Sequence, residues 1–178
     1  AGAAALLPSA LLAQQTYPNR PLTIIVPFTP GGAADIDVRL VAPELSRLLG
    51  QPVVVDNVSG AGGTIGVQKA LRAPADGHTL FYGSTSETVI MPLINPQVKY
   101  RLEDMSALNL AGKTPLAFFT RPDFPAKDME GLIAHARAHP GKLNFGTSGI
   151  GSFQHLVTEV IQERTGTQMT HVAYRGGA

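Results

Sequence analysis

Four stretches place glycine beside hydroxyl or acidic side chains where a strand pattern ends: residues 29–35, 83–86, 146–152 and 174–178. At a strand-to-helix junction the first backbone N–H groups of the helix have no partner inside it, and the aligned peptide dipoles favour negative charge. Glycine lets backbone close on a ligand, and Ser or Thr adds donors. The chemistry such junctions can do is anion binding, most simply of a carboxylate or a phosphate. The plainer reading is that each glycine closes a turn and each Ser or Asp caps a helix. One composition recurring at four junctions favours the anion site.

Other chemistries have thinner support. Gly60-Ala61-Gly62-Gly63-Thr64-Ile65-Gly66 matches the first two glycines of GxGxxG, but Ile65 stands where the third belongs, and no GxxxxGK[ST] occurs. Gly146-Thr147-Ser148-Gly149 lacks the last glycine of a nucleophile elbow. An esterase-like hydrolase using Ser148 or Ser152 with His155 is the alternative reading. Against it, Ser152 and His155 are three apart at a helix start, the spacing of a capping serine and a helix-face histidine. His135 and His139, four apart, form a weak metal-ligand pair that reads better as a solvated face. Asp35 and Asp37 suit the positive end of a helix dipole, and Asp35 also has the placement to face a ligand. No cofactor is called for.

The elements that must position these loops follow from periodicity. Leu22–Val26, Val53–Val55 and Thr79–Tyr82 are short apolar runs of the kind buried on both faces of a parallel sheet. Between them lie helical patterns at about Ala33–Leu49, stopped by Gly50 and interrupted by Pro43, and Thr64–Ala73. Strand, glycine loop, helix, repeated three times, is an α/β sheet with right-handed crossovers. The order breaks near residues 100–108, where Ala107–Ala111 and Leu116–Thr120 follow without an intervening helix, and a domain crossover is expected there. Beyond it come a helix at Met129–Ala138 capped by Asp128, a strand at Leu143–Phe145, a helix at Phe153–Arg164 closed by Gly166, and a strand at Met169–Val172.

Composition narrows the class. Of 178 residues, 44% are apolar and 15% charged, which excludes a disordered chain. The net charge of +1, without any run of five like charges, argues against nucleic acid as a partner. With no Cys, disulfide frameworks and thiolate zinc sites are excluded. Residues 1–13 are uncharged and Ala/Leu-rich, the pattern of the back half of a secretory signal peptide, the other reading being an N-terminal helix. Export to a bacterial periplasm is the expectation.

Several blocks together resemble one family: Tyr17-Pro18-Asn19-Arg20-Pro21, Val26-Pro27-Phe28-Thr29-Pro30-Gly31-Gly32-Ala33-Ala34-Asp35 with Arg39, Gly50-Gln51-Pro52-Val53-Val54-Val55-Asp56-Asn57, Gly60–Gly66, Pro74–Leu80, Pro140–Asn144 and His171–Ala178. The chain is similar to the substrate-binding proteins of tripartite tricarboxylate transporters, the Bug or TctC-like receptors. The resemblance implies a periplasmic binding protein type II-like α/β fold with two Rossmann-like lobes closing as a Venus flytrap, truncated here at the C-terminus. It divides the chain into a leader over 1–16, a first lobe over 17–105 lacking its returning segment, and an incomplete second lobe over 106–178. It implies a monomeric receptor when full length, whose partners are a small carboxylate (a di- or tricarboxylate, an acidic amino acid or an aromatic acid) and the permease subunits of the membrane. The ligand residues it implies are Pro30, Gly31, Gly32, Ala33, Asp35, Ser84, Thr85 and Ser86 in the first lobe. In the second they are Thr147, Ser148, Gly149, Gly151, Ser152, His155, Arg175, Gly176, Gly177 and Ala178. A dicarboxylic ligand would bridge the Gly31–Ala33 amides and the Thr147 and Ser152 hydroxyls. Three residues depart from the family pattern: Pro43 inside a helix, Ala173 before the tyrosine, and Glu87, whose carboxylate would repel an anionic ligand if it faced inward.

Overall fold

A computed structural model describes residues 16–174, so the expectations for residues 1–13 and for Arg175 to Ala178 lie outside the described residues. β1 (Leu22–Val26) is the centre of a parallel three-stranded sheet in the order β2-β1-β3, with β2 at Val53–Asn57 and β3 at Thr79–Phe81. Its unbroken apolar run is explained by pairing on both sides: Ile24 lies in register with Val55 and with Leu80. The core is Ile24, Val26 and Val38, with Phe28, Leu45, Val53, Val55 and Leu80 packed around it. Val38 and Leu45 come from α1 (Ala33–Leu49), which carries Pro43 inside without ending there and stops at Gly50, whose φ of 66° is the left-handed conformation of a helix C-cap.

The second glycine run has a packing role. α2 (Thr64–Arg72) lies close to the end of β1, and at Gly66 there is no room for a side chain. A Cβ at Gly66 would sit 2.9 Å from the Pro27 Cβ and 3.1 Å from the Val58 carbonyl oxygen. Beyond β3 a π-helical turn at Ser86–Ile90 runs into the short α3 (Met91–Ile94).

A second, two-stranded parallel sheet pairs β4 (Leu143–Thr147) with β5 (Met169–Ala173), Phe145 opposite His171. α4 (Met129–Ala138) precedes it, and the expected cap holds: the Asp128 Oδ1 accepts the Gly131 N–H at 2.8 Å. α5 (Phe153–Thr165) crosses between the strands and ends at Gly166. Ala107–Ala111 and Leu116–Thr120 form no strand; residues 105–127 have no helix or sheet, and Leu108, Leu110 and Phe119 are 80%, 68% and 91% exposed. An apolar run becomes a strand only when an edge pairs with it. Here residues 116–121 instead line a groove of about 890 Å³ beside β4. Among the described residues no helix is long and apolar enough to cross a membrane.

Gly66→Ala is therefore expected to destabilise the chain by about 1–3 kcal/mol, the usual cost of overpacking. Thermal melting followed by circular dichroism should show a drop of several degrees, while Gly112→Ala, where a Cβ meets nothing within 4 Å, leaves the midpoint unchanged.

Candidate binding cleft

The first junction is organised by one buried carboxylate. Asp35, in the first turn of α1, is 3% exposed. Its Oδ2 accepts the Gly31 N–H at 2.9 Å, the Arg39 Nε reaches both of its oxygens at 2.9 Å, and the Asn57 Nδ2 donates to Oδ1 at 2.9 Å. Asn57, at the end of β2, also donates to the Phe28 carbonyl at 3.3 Å. This network ties β1, β2 and α1 together where the chain turns. Gly31 reaches it with a φ of 83°, a conformation that disfavours any side chain. The Arg39 guanidinium, then the Gly31 amide and Asn57, hold the Asp35 carboxyl down at about 2.

The network leaves the next donors untouched. No hydrogen bond within the described chain engages the N–H groups of Ala33 and Ala34. Both residues, with Gly32, border a cleft of about 700 Å³ between the two sheet units. Its other walls include Tyr82 to Ser86 after β3, Leu110, Gly112, Lys113, Thr114 and Leu116, and Ser148, Phe153 and Gln154. Two charged residues line it. Asp37 accepts from the Tyr82 hydroxyl at 3.0 Å, and Lys113 makes no ion pair with any described residue.

The remaining junctions are largely satisfied from within. Ser84 donates its N–H and its hydroxyl to the two oxygens of Glu87. The Ser86 hydroxyl accepts the Phe153 N–H at 3.0 Å, joining the loop after β3 to the first residue of α5. The Thr147 hydroxyl lies 2.7 Å from the His171 Nε2 and accepts the Gly149 N–H at 3.2 Å. The Ser152 hydroxyl caps α5 by accepting the His155 N–H at 3.3 Å. Gly151, with a φ of 77°, allows the second unit to close on the first: a Cβ there would collide with the Met91 sulfur and approach the Ile94 Cδ1 to 3.0 Å.

The family model for the "Tripartite tricarboxylate transporter family receptor", TctC, matches residues 38–178. The chain belongs to this family. The protein BugT of Bordetella pertussis is 40% identical over 170 residues, covering 94% of this chain and 52% of BugT. A solved structure described as a periplasmic transporter superposes with a TM-score of 0.75 at 37% identity, over 90% of this chain and 54% of its own. Another, the R. palustris protein Rpa4515 with adipate, gives a TM-score of 0.74 at 34% identity over 90% and 54%. The chain spans about half the length of the relatives it matches. The α/β fold of a periplasmic binding protein, expected from the sequence, is the one these neighbours share.

Within this receptor-family fold, Gly32, Ala33, Ser84, Thr85, Ser86 and Ser148 are brought together around the cleft. The structure places the other expected residues that it describes outside the cleft lining. The Asp35 oxygens are bonded by Arg39, Asn57 and the Gly31 amide, and Pro30 and Gly31 belong to the turn that this network fixes. Thr147 lines the groove beside β4 rather than the cleft. Ser152 and Gly151 are occupied in the cap and the contact between units, and Gly149, at a φ of 144°, passes beneath Tyr174. The His155 ring turns toward β5, stacking on His171 with centroids 4.0 Å apart. Its Nδ1 accepts the Gly151 N–H at 3.3 Å and its Nε2 lies 3.6 Å from Glu159. It therefore pairs with neither Ser148 nor Ser152, and the hydrolase alternative loses its constellation; the matched family is one of receptors. His135 and His139 stack at 4.3 Å, but among the described residues no third metal-ligating side chain joins them. Lys113, Phe153 and Gln154 line the cleft without having been singled out in the sequence, and Asp37 was read there only as a helix-dipole partner. Lys113 in particular sits in a stretch with no periodicity to place it.

Because the folded Asp35 carboxyl lies near 2, below the usual 3.8, its stabilising contribution is present above the usual value and is lost as pH falls toward 2. Asp76, held at about 2 by the His78 amide and Arg20, acts in the same window. The melting temperature is expected to fall between about pH 4 and pH 2. In Asp35→Asn it should start lower at neutral pH and fall less on acidification.

Proposed function

We propose that the protein is a periplasmic solute receptor that captures a small carboxylate in the cleft between two lobes and delivers it to the permease subunits of a tripartite tricarboxylate transporter. The observation that carries this reading is that one cleft brings together the Ala33 and Ala34 amides at the start of α1 and the Lys113 ammonium, none of them engaged by any described residue. A carboxylate at the helix start gains about 0.3–1 kcal/mol from the dipole. Charge-assisted hydrogen bonds add roughly 1.5–3 kcal/mol each. Gly32 brings the backbone to the cleft surface without a side chain, and Ser148 adds a hydroxyl on the opposite wall. Phe28, Leu110, Leu116 and Phe153 supply apolar wall for the body of the ligand.

Membership of a receptor family supports the transport role, and the R. palustris neighbour described with adipate supports a carboxylate as the cargo. The neighbour described as periplasmic supports the location. The division into lobes at about residue 105, the monomeric state and the part played by residues 175–178 belong to the same proposal.

The test is calorimetric titration with short aliphatic mono- and dicarboxylates. At least one should bind, and Lys113→Ala should weaken it by roughly tenfold, equivalent to about 1.4 kcal/mol. Binding that is indifferent to Lys113→Ala, or no binding by any acid of the panel, would overturn the assignment.

A further inference from the structure

Glu87 is the most completely buried ionisable group in the described chain, at 0% exposure, and it stands directly behind the loop that borders the cleft. Both of its oxygens are spent on one residue. Oε1 accepts the Ser84 N–H, and Oε2 accepts the Ser84 hydroxyl at 2.8 Å. Its carbonyl accepts the Tyr100 hydroxyl at 2.7 Å. Two glycines make room for the side chain: a Cβ at Gly63 would lie 2.9 Å from the Glu87 Cβ, and one at Gly83 would lie 2.8 Å from Oε1. Glu87 forms no ion pair with a described cation. Burial pushes its carboxyl above the usual range, the Ser84 hydrogen bonds pulling the other way; burial first, and then the charge of Glu87, raises Tyr100 to about 12.

An amide and a hydroxyl side by side at the mouth of a loop are the donors that a ligand carboxylate would use. Here the protein's own carboxyl group has them. We propose that Glu87 is a specificity-determining residue: by occupying the Ser84 donors it closes the 83–86 junction to a ligand carboxylate, so that the cleft takes an acid charged at one end only. The single charge is left to the Ala33 and Ala34 amides and Lys113, and the neighbouring Ser84 donors are already spent. The hydroxyls of Thr147 and Ser152, the other candidates for holding a second carboxylate, are engaged internally. Asp37 is a further carboxylate on the cleft wall, and among the described lining residues Lys113 is the single cation. A second ligand carboxylate would share the cleft with Asp37 and meet no second cation among the described lining residues.

This inference rests on the carboxylate reading of the cleft. Hexanoate and adipate separate the two, since they share a six-carbon chain and differ in the second carboxylate. In calorimetric titrations the parent chain should bind hexanoate at least about tenfold more tightly than adipate, the equivalent of one charge-assisted contact. Glu87→Ala frees the Ser84 donors, and Glu87→Gln removes the charge while keeping the shape. Glu87→Ala, with the parent's circular dichroism spectrum kept, should bind adipate more tightly and reduce the preference by roughly tenfold, whereas Glu87→Gln, whose amide oxygen still accepts from Ser84, should keep most of the preference. Equal or tighter binding of adipate by the parent overturns the inference and leaves the carboxylate cleft standing. So does an unchanged preference in the folded Glu87→Ala variant. If the parent binds neither hexanoate nor adipate, the carboxylate reading falls and the inference with it.

Discussion

Every helix begins with backbone donors that it cannot satisfy itself, and the organisation of this chain follows from who satisfies them. At α4 the donor goes to Asp128, at α5 to Ser152, and at the turn after β3 to Glu87. At α1 the solution is partial. Asp35 takes the Gly31 amide, which fixes the turn, and the amides of Ala33 and Ala34, unengaged within the described chain, border the cleft. A buried carboxylate bonded to arginine, asparagine and an amide is expensive to desolvate but rigid once formed. What it stabilises is the direction in which the free donors point. The same kind of group thus serves opposite ends at two neighbouring junctions, opening one to the cleft and closing the other.

The regular elements were legible in the sequence because their signals are local. Apolar runs with β-branched residues, bounded by glycine, gave β1, β2 and β4 within two residues, and the caps at Asp128 and Gly50 marked helix ends that the structure keeps. The junctions, too, were found by composition. Their orientation was not. Whether Asp35 faces solvent, ligand or core depends on Arg39 one turn on and Asn57 on another strand, and nothing in the spacing orients three side chains toward each other. His155 is similar: its spacing from Ser152 reads as a capping serine and a helix-face histidine, and the cap forms, but only the structure shows the ring stacked on His171 and Phe145 and turned to the sheet.

Lys113 is the clearest omission, and the reason is physical. It lies between two apolar runs that carry the pattern of strands but pair with nothing among the described residues. Without an element, a residue has no predictable face. Its position at the cleft is a property of the path of the chain, visible only when neighbouring walls are in place.

The bond from Phe153 to Ser86 sets how the two sheet units depend on each other. Phe153 is the first residue of α5, so its amide is one of the donors its own helix leaves empty, and the acceptor is supplied by the other unit. The end of α5 is therefore completed in trans. If the units part, that amide must find water, or the first turn must fray to reach another acceptor, at a cost of about 0.5–1.5 kcal/mol. Separation and local melting at the head of α5 then become one event, which couples a rigid-body displacement to a change of backbone order. Amide exchange at Phe153 would accordingly report on how often the two units come apart, although the residue belongs to a helix whose remaining turns stay intact.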